Sequence, residues 1–164
     1  MNEASFTGQP QEQFFRRQAG MAMTLIVGLL LATGCASTPK PSTAFHQEAS
    51  DVAASMMGKP YRYGGSTPQG FDCSGLVHFS FKHAGLDVPR STETQRQQSH
   101  RIARADLARG DLVFFDQQGK NSSHVGIYLG HDRFVHAPSS GKRVRVDTLT
   151  DPYWRKHLVD TRRF

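Results

Sequence analysis

The chain has 164 residues, enough for one ordinary domain and too few for two comfortable ones. Its 37% apolar and 21% charged content suits a soluble globular domain with a sizeable polar N-terminal part. The formal charge of +6 fits anionic polymers or lipid surfaces as partners, with a merely solvated basic face as the bland alternative. Nucleic acid is disfavoured, because no helix-turn-helix or zinc-finger pattern stands beside the charge.

In chain order, Arg16 and Arg17 precede an apolar run, Met21 to Leu31, that ends in Ala32-Thr33-Gly34-Cys35. The run is too short to span a membrane and has the charged-then-apolar order of a secretory signal, expected over residues 1–34. An uncleaved membrane anchor is the competing reading. The small residues before Cys35 resemble the lipobox of bacterial lipoproteins, which implies that Cys35 is acylated. Residues 35–43, rich in Ser, Thr, Pro and Lys, then read as a tether between lipid and domain. Removing residues 1–34 leaves the charge unchanged, since Arg16 and Arg17 balance Glu3 and Glu12. With Cys35 lipidated, Cys73 has no disulfide partner, and an unpaired thiol in an oxidising compartment is usually avoided unless it is used.

The domain is expected over residues 44–164. A helix over 44–57 carries the stripe Phe45, Ala49, Val52, Ala53 and Met56, and Gly58-Lys59-Pro60 ends it. Tyr61 to Gly70 is a Gly-rich irregular loop without the Gly-Lys-Ser/Thr of a phosphate loop. From Cys73 the small or apolar residues Leu76, Val77, Ser80, Phe81 and Ala84 fall on one helical face, and Gly85 stops the helix. Cys73 thus sits at a helix N-terminus, where unpaired N–H groups and the helix dipole favour thiolate. Ser91 or Thr92 is positioned to cap a further short helix. After a turn at Asp106 to Asp111, strands are expected at Leu112 to Phe115, His124 to Leu129, Arg133 to Ala137 and Lys142 to Val146. Asp151-Pro152 opens a short helical turn, and Leu158 to Asp160 forms a last strand. Helices first and antiparallel strands after them predict an α+β domain.

Among the eight histidines, His124 and His136 stand out, each in a strand of one predicted hairpin. A three-residue loop, Gly130-His131-Asp132, pairs Leu129 with Arg133 and Gly126 with His136. His124 and His136 then become diagonal neighbours on one face, about 7–8 Å apart along the backbone and bridgeable by their rings. That yields a nucleophile–base–orienter set: Cys73 attacks, His124 carries its proton, and His136 fixes the ring of His124. The Cys73 N–H, with the Tyr61 hydroxyl, is the candidate oxyanion donor, a contact typically worth on the order of 3 kcal/mol in barrier. Zinc ligation by Cys73, His124 and His136 is the rival reading, weakened by the absence of short paired ligand motifs and of an evident fourth ligand. A buried core thiol with incidental strand histidines is the bland one.

Six blocks carry a resemblance: Pro60-Tyr61-Arg62-Tyr63-Gly64-Gly65, Phe71-Asp72-Cys73-Ser74-Gly75-Leu76-Val77, Pro89-Arg90-Ser91-Thr92 with Gln95, Gly110 to Phe115, His124-Val125-Gly126-Ile127-Tyr128 and Phe134-Val135-His136-Ala137. Together they resemble the NlpC-type family of cell-wall peptidases, with a papain-like fold, from about Ala44 to the C-terminus. The resemblance implies a cysteine endopeptidase acting on peptidoglycan stem peptides or their cross-links without a cofactor, held in the cell envelope by a lipid anchor at the periplasmic face of the outer membrane. It implies Cys73 as nucleophile, His124 as base and His136 as third polar residue. Tyr61 is implied near the oxyanion, with Asp72, Ser74, Ser91 and Thr92 toward the substrate. Asp72 alternatively reads as a loop-forming carboxylate. The rival functions are an N-acetylmuramoyl amidase on a related fold and a non-catalytic wall-binding lipoprotein.

Overall fold

The computed structural model describes residues 42–117 and 119–164, with backbone alone at residues 42 and 120–122. The expected signal segment, the Cys35 lipidation site and residues 35–41 of the tether lie outside the described residues. Helix α1 (Ser42–Ser55) leads into a small antiparallel ladder, β1 (Ser66–Thr67) with β2 (Gly70–Phe71). Helix α2 (Cys73–Ala84) follows at once, then α3 (Thr92–Gln98) and β3 (His100–Arg101). A 3-10 turn at Arg104–Asp106 precedes β4 (Leu112–Gln117), β5 (Lys120–Gly130), β6 (Arg133–His136), β7 (Arg145–Thr148), α4 (Pro152–His157) and β8 (Leu158–Arg163). Six strands form one antiparallel sheet in the order β3-β8-β4-β5-β6-β7. This is the α+β architecture expected from the helices-then-strands pattern.

Alternation along the strands gives the sheet two apolar faces. On one, Leu112, Phe114, Val125, Ile127 and Val135 pack with Ala49 and Ala53 of α1 and with Leu76, Val77, Phe81 and Ala84 of α2. On the other, Val113, Phe115, Tyr128 and Phe134 pack with Leu149 and with Trp154 of α4. The stripe read on α2 is therefore its buried face. The helix stops at Gly85, whose φ of +96° suits glycine and whose N–H reaches back to Phe81 and Lys82 carbonyls.

Two expectations need correction. First, β7 runs over Arg145–Thr148 and not over residues 142–146, so only Arg145 and Val146 of the expected strand pair with β6. The backbone of residues 142–144 is taken by the segment after α1: Gly58 and Tyr61 donate to Val144 and Lys142 carbonyls, and the Val144 N–H donates to Lys59. Second, the β5–β6 loop holds two residues, not three. Gly130 pairs with Arg133 across His131 and Asp132, both left-handed at φ 53° and 55°. A bulge between Tyr128 and Gly130 absorbs the difference, so Tyr128 pairs with Phe134 and Ile127 with Val135, the register expected deeper in the hairpin. A plain two-residue hairpin would have put the two histidines on opposite faces; the bulged one keeps them together.

Candidate active site

The thiol side is built around the start of α2. Asp72 is its N-cap, with Oδ1 accepting from the Gly75 N–H at 2.7 Å and Oδ2 from the Gly64 N–H at 2.9 Å. Arg90 closes on the same carboxylate with both Nη atoms, at 2.9 and 2.7 Å. Arg90 also donates to Ser74 Oγ and to the Gly65 carbonyl. A Cβ on Gly75 would sit 1.9 Å from the Gly65 carbonyl oxygen, so only glycine lets the Gly-rich loop lie against the helix start. Gln95 is fully buried and donates to the Ser74 and Pro89 carbonyls, tying α3 to α2. Ser91 caps α3 by accepting from the Thr94 N–H. Thr92, one residue on, places Oγ1 3.7 Å from Cys73 Sγ.

These elements enclose an open cleft of about 560 Å³, lined by Tyr61, Asp72, Cys73, Ser74, Ser91 and Thr92 together with Tyr63, Gly64, Arg90 and Ser123. All the residues expected toward substrate, and Tyr61, are thus brought to one cleft with Cys73. The polar atoms of Asp72 and Ser74, however, are engaged inward with Arg90 and the helix start. The turn-forming reading of Asp72 describes its hydrogen bonds better than a substrate contact does.

The histidine side lies on the other face of the sheet. His124 and His136 project together from it, and His124 Nε2 is 2.7 Å from His136 Nδ1. Both are sealed from solvent, at 2% and 0% exposure. Trp154 stacks on His124, and Phe115 and Phe134 fill the surroundings. Gly126 opens the space between the two rings' strands: a Cβ there would meet the Phe134 ring at 2.7 Å and His136 Cβ at 3.4 Å.

A fourth member extends the line. His136 Nε2 lies 3.0 Å from Asp147 Oδ2, which also accepts from Trp154 Nε1 at 3.0 Å and from Arg145 Nη2 at 2.7 Å. Asp147 was missed from sequence because β7 was expected to end at Val146. With Phe134 opposite Asp147, His136 and Asp147 are diagonal neighbours, as His124 and His136 are across Gly126. The period-two pleat that aligns His124 with His136 thus also aligns His136 with Asp147.

The two sides meet at β5. Tyr128 exchanges backbone hydrogen bonds with the β4 side, so Val125, three residues before it, turns its N–H the other way, where β6 has already ended. The Cys73 sulfur accepts from that Val125 N–H, next in the chain to His124. Among the described residues no hydrogen bond joins Cys73 to His124 itself; the thiol's side-chain partner is Thr92.

Burial dominates the protonation states. It pushes the Cys73 thiol above its ordinary 9.0, opposed by the Thr92 hydroxyl and by the Val125 and Ser74 N–H groups, and reinforced by the Asp72 charge. The helix-start argument for a resting thiolate is therefore outweighed by burial. Burial also holds His124 well below 6.5, with His136 pushing the same way and the Asp147 charge opposing. His136 is lowered for the same first reason, against the pull of Asp147. Asp147 is held at about 2, chiefly by its hydrogen bond with His136. At neutral pH the site rests as thiol, two neutral imidazoles and a carboxylate.

The chain is 43% identical over 114 residues to the murein DD-endopeptidase MepS/murein LD-carboxypeptidase of Escherichia coli K12, covering 69% of this chain and 60% of that protein. It is 40% identical over 126 residues to the murein DD-endopeptidase MepH of the same organism, covering 71% of this chain and 46% of that protein. The chain thus spans about half the length of these curated relatives. A crystal structure of an NlpC/P60 family protein from Bacillus cereus superposes with a TM-score of 0.68 at 30% identity, covering 77% of this chain and 41% of that one. The sequence pattern of the NlpC/P60 family matches residues 58–163, which hold every side chain of the site just described, and the chain belongs to that family.

Proposed function

We propose that this protein is a thiol hydrolase that cuts amide bonds in peptidoglycan stem peptides or their cross-links. The observation that carries the reading is a cleft-lining thiol at a helix start, set against Val125 of β5 beside His124, whose ring is sealed and hydrogen-bonded to His136 on β6. Cys73 Sγ attacks the scissile carbonyl while neutral His124 takes the thiol proton. The carbonyl oxygen, now negative, is met by the Cys73 N–H and the Tyr61 hydroxyl. Collapse breaks the C–N bond, and His124 hands its proton to the leaving amine. Water then attacks the thioester with His124 again as base, releasing the carboxylate product and the thiol. Because the resting pair is uncharged, proton transfer accompanies attack.

The E. coli relatives MepS and MepH are both named murein DD-endopeptidases, which supports the D-Ala–diaminopimelate cross-link as the bond cut, over the D-Glu–diaminopimelate bond within a stem. The chain's charge of +6 suits a polymer bearing free carboxylates. Lipidation at Cys35, with a cleaved segment before it, would hold the domain in the envelope beside that polymer.

The test is digestion of purified peptidoglycan by wild type and Cys73→Ala, with mass spectrometry of the products. Wild type should convert cross-linked dimers to monomers, and the variant should release nothing. Equal release by both ends the cysteine-hydrolase reading. Intact peptides freed of sugar would make the protein an amidase, and no release by wild type would leave wall binding as its role.

A further inference from the structure

The hydrogen-bonded line across β5, β6 and β7 does more than hold two rings in place. A neutral imidazole has one N–H and one bare nitrogen, and which is which is fixed by the strongest partner at either end. At the far end of this line that partner is a carboxylate, which accepts and cannot donate. We infer that Asp147 is a positioning residue that sets the proton arrangement of the whole line and leaves Nδ1 of His124 bare to receive the Cys73 proton.

Asp147 Oδ2, 3.0 Å from His136 Nε2, requires the His136 proton on Nε2. His136 Nδ1 is then an acceptor, so the contact at 2.7 Å requires the His124 proton on its own Nε2. His124 Nδ1 is left without a proton, which is the state a base needs. Without the carboxylate both rings can reverse together, and His124 would then present an N–H that cannot take a proton from the thiol. The charged groups facing His136 are Asp147 and Arg145 on β7 and Lys142 in the loop before it, with neutral His124 on β5. The two cations discourage a protonated imidazole, and Trp154 and Arg145 hold Asp147 in place by donating to the same oxygen. The inference rests on the thiol-hydrolase reading for what the bare nitrogen does, but the proton arrangement is measurable without any wall substrate.

Two readouts test it on the full-length protein. In ¹H–¹⁵N spectra of ¹⁵N-histidine-labelled wild type, both buried rings should carry their proton on Nε2; an Nδ1–H on His136 overturns the inference with no variant needed. Asp147→Asn can offer an amide N–H to His136 Nε2. It should move both protons to Nδ1 and slow iodoacetamide alkylation of Cys73 at pH 7 by about 10- to 100-fold, the scale of loss seen when a metal-binding histidine loses the partner that orients it. A folded variant that keeps both protons on Nε2 overturns the inference, whether its alkylation is unchanged or slowed, since a slowing would then be merely structural. Murein digestion is scored separately: wild type inert toward murein sinks the substrate assignment, while the spectra still decide the role of Asp147.

Discussion

Two carboxylates anchor the two sides of the site, and they are spent differently. Asp72, on the helix side, accepts from the Gly64 and Gly75 N–H groups, from Ser74 and twice from Arg90. Its donors are backbone, a hydroxyl and a guanidinium, none of which changes protonation near neutrality. Asp147, on the Trp154 side, also collects several donors, but one is an imidazole with two proton arrangements to choose from. The first carboxylate therefore fixes where the Cys73 thiol sits; the second bears on which nitrogen of His124 is free. Two carboxylates can each gather several hydrogen bonds and still differ in role, and the donor's chemistry decides.

The contrast breaks most easily at the thiol side. Asp72→Ala removes a helix cap and leaves the Arg90 fork unmatched, and should cost about 3 kcal/mol in urea denaturation. The histidine protons should stay on Nε2 in that variant; their movement would mean that the two sides are not separable. Next comes Gly126→Ala, whose new methyl must displace the Phe134 ring beside His136. A loss of about 1–3 kcal/mol is expected, together with a drop in murein digestion beyond what the unfolded fraction explains. Full activity in a folded Gly126→Ala protein would show that the histidine line tolerates a shift.

Acid should separate the sides as well. His124 and His136 are both depressed below 6.5 when folded, so the unfolded chain binds more protons as pH falls through that value. Their stabilising contribution is present above about pH 6.5 and is lost as pH falls below it, by up to about 1.4 kcal/mol per pH unit for each ring. Asp147, held at about 2, loses its contribution only as pH falls below its ordinary 3.8. Urea midpoints should therefore begin to drop between pH 7 and 5, and His124→Gln should flatten that slope. A flat wild-type profile down to pH 4 would contradict the buried neutral pair. The smallest effect is expected at Thr92→Val, which removes a hydroxyl that eases thiol ionisation. Alkylation at pH 8 should slow severalfold, an effect of about 1 kcal/mol, with folding stability nearly unchanged.

The thiol side was the more legible from sequence. The stripe from Cys73 to Ala84 and the stop at Gly85 are local signals, and the structure realises both. The cap at Ser91 was equally local. The histidine side depended on pairing between segments. There the face shared by His124 and His136 was readable because the pleat has period two, while the turn was not: a two-residue loop plus a bulge and a three-residue loop give one register and look alike in sequence. Asp147 was lost to a boundary error, caused by residues 142–144 bonding to the stretch after α1 instead of to β6. The inward engagement of Asp72 was hidden for another reason, since the partner Arg90 is 18 residues away.

The bulge beside Leu129 has a consequence for variation at the hairpin tip. His131 and Asp132 lie at the surface end of the turn, a place where insertions and deletions are ordinarily harmless. Here the tip meters the phase of the strand behind it. Dropping one residue, or straightening the kink without lengthening the loop, would swing His136 to the helix face and leave His124 facing an empty position. A solvent-facing corner is thus held to the same length discipline as the buried histidine line it feeds.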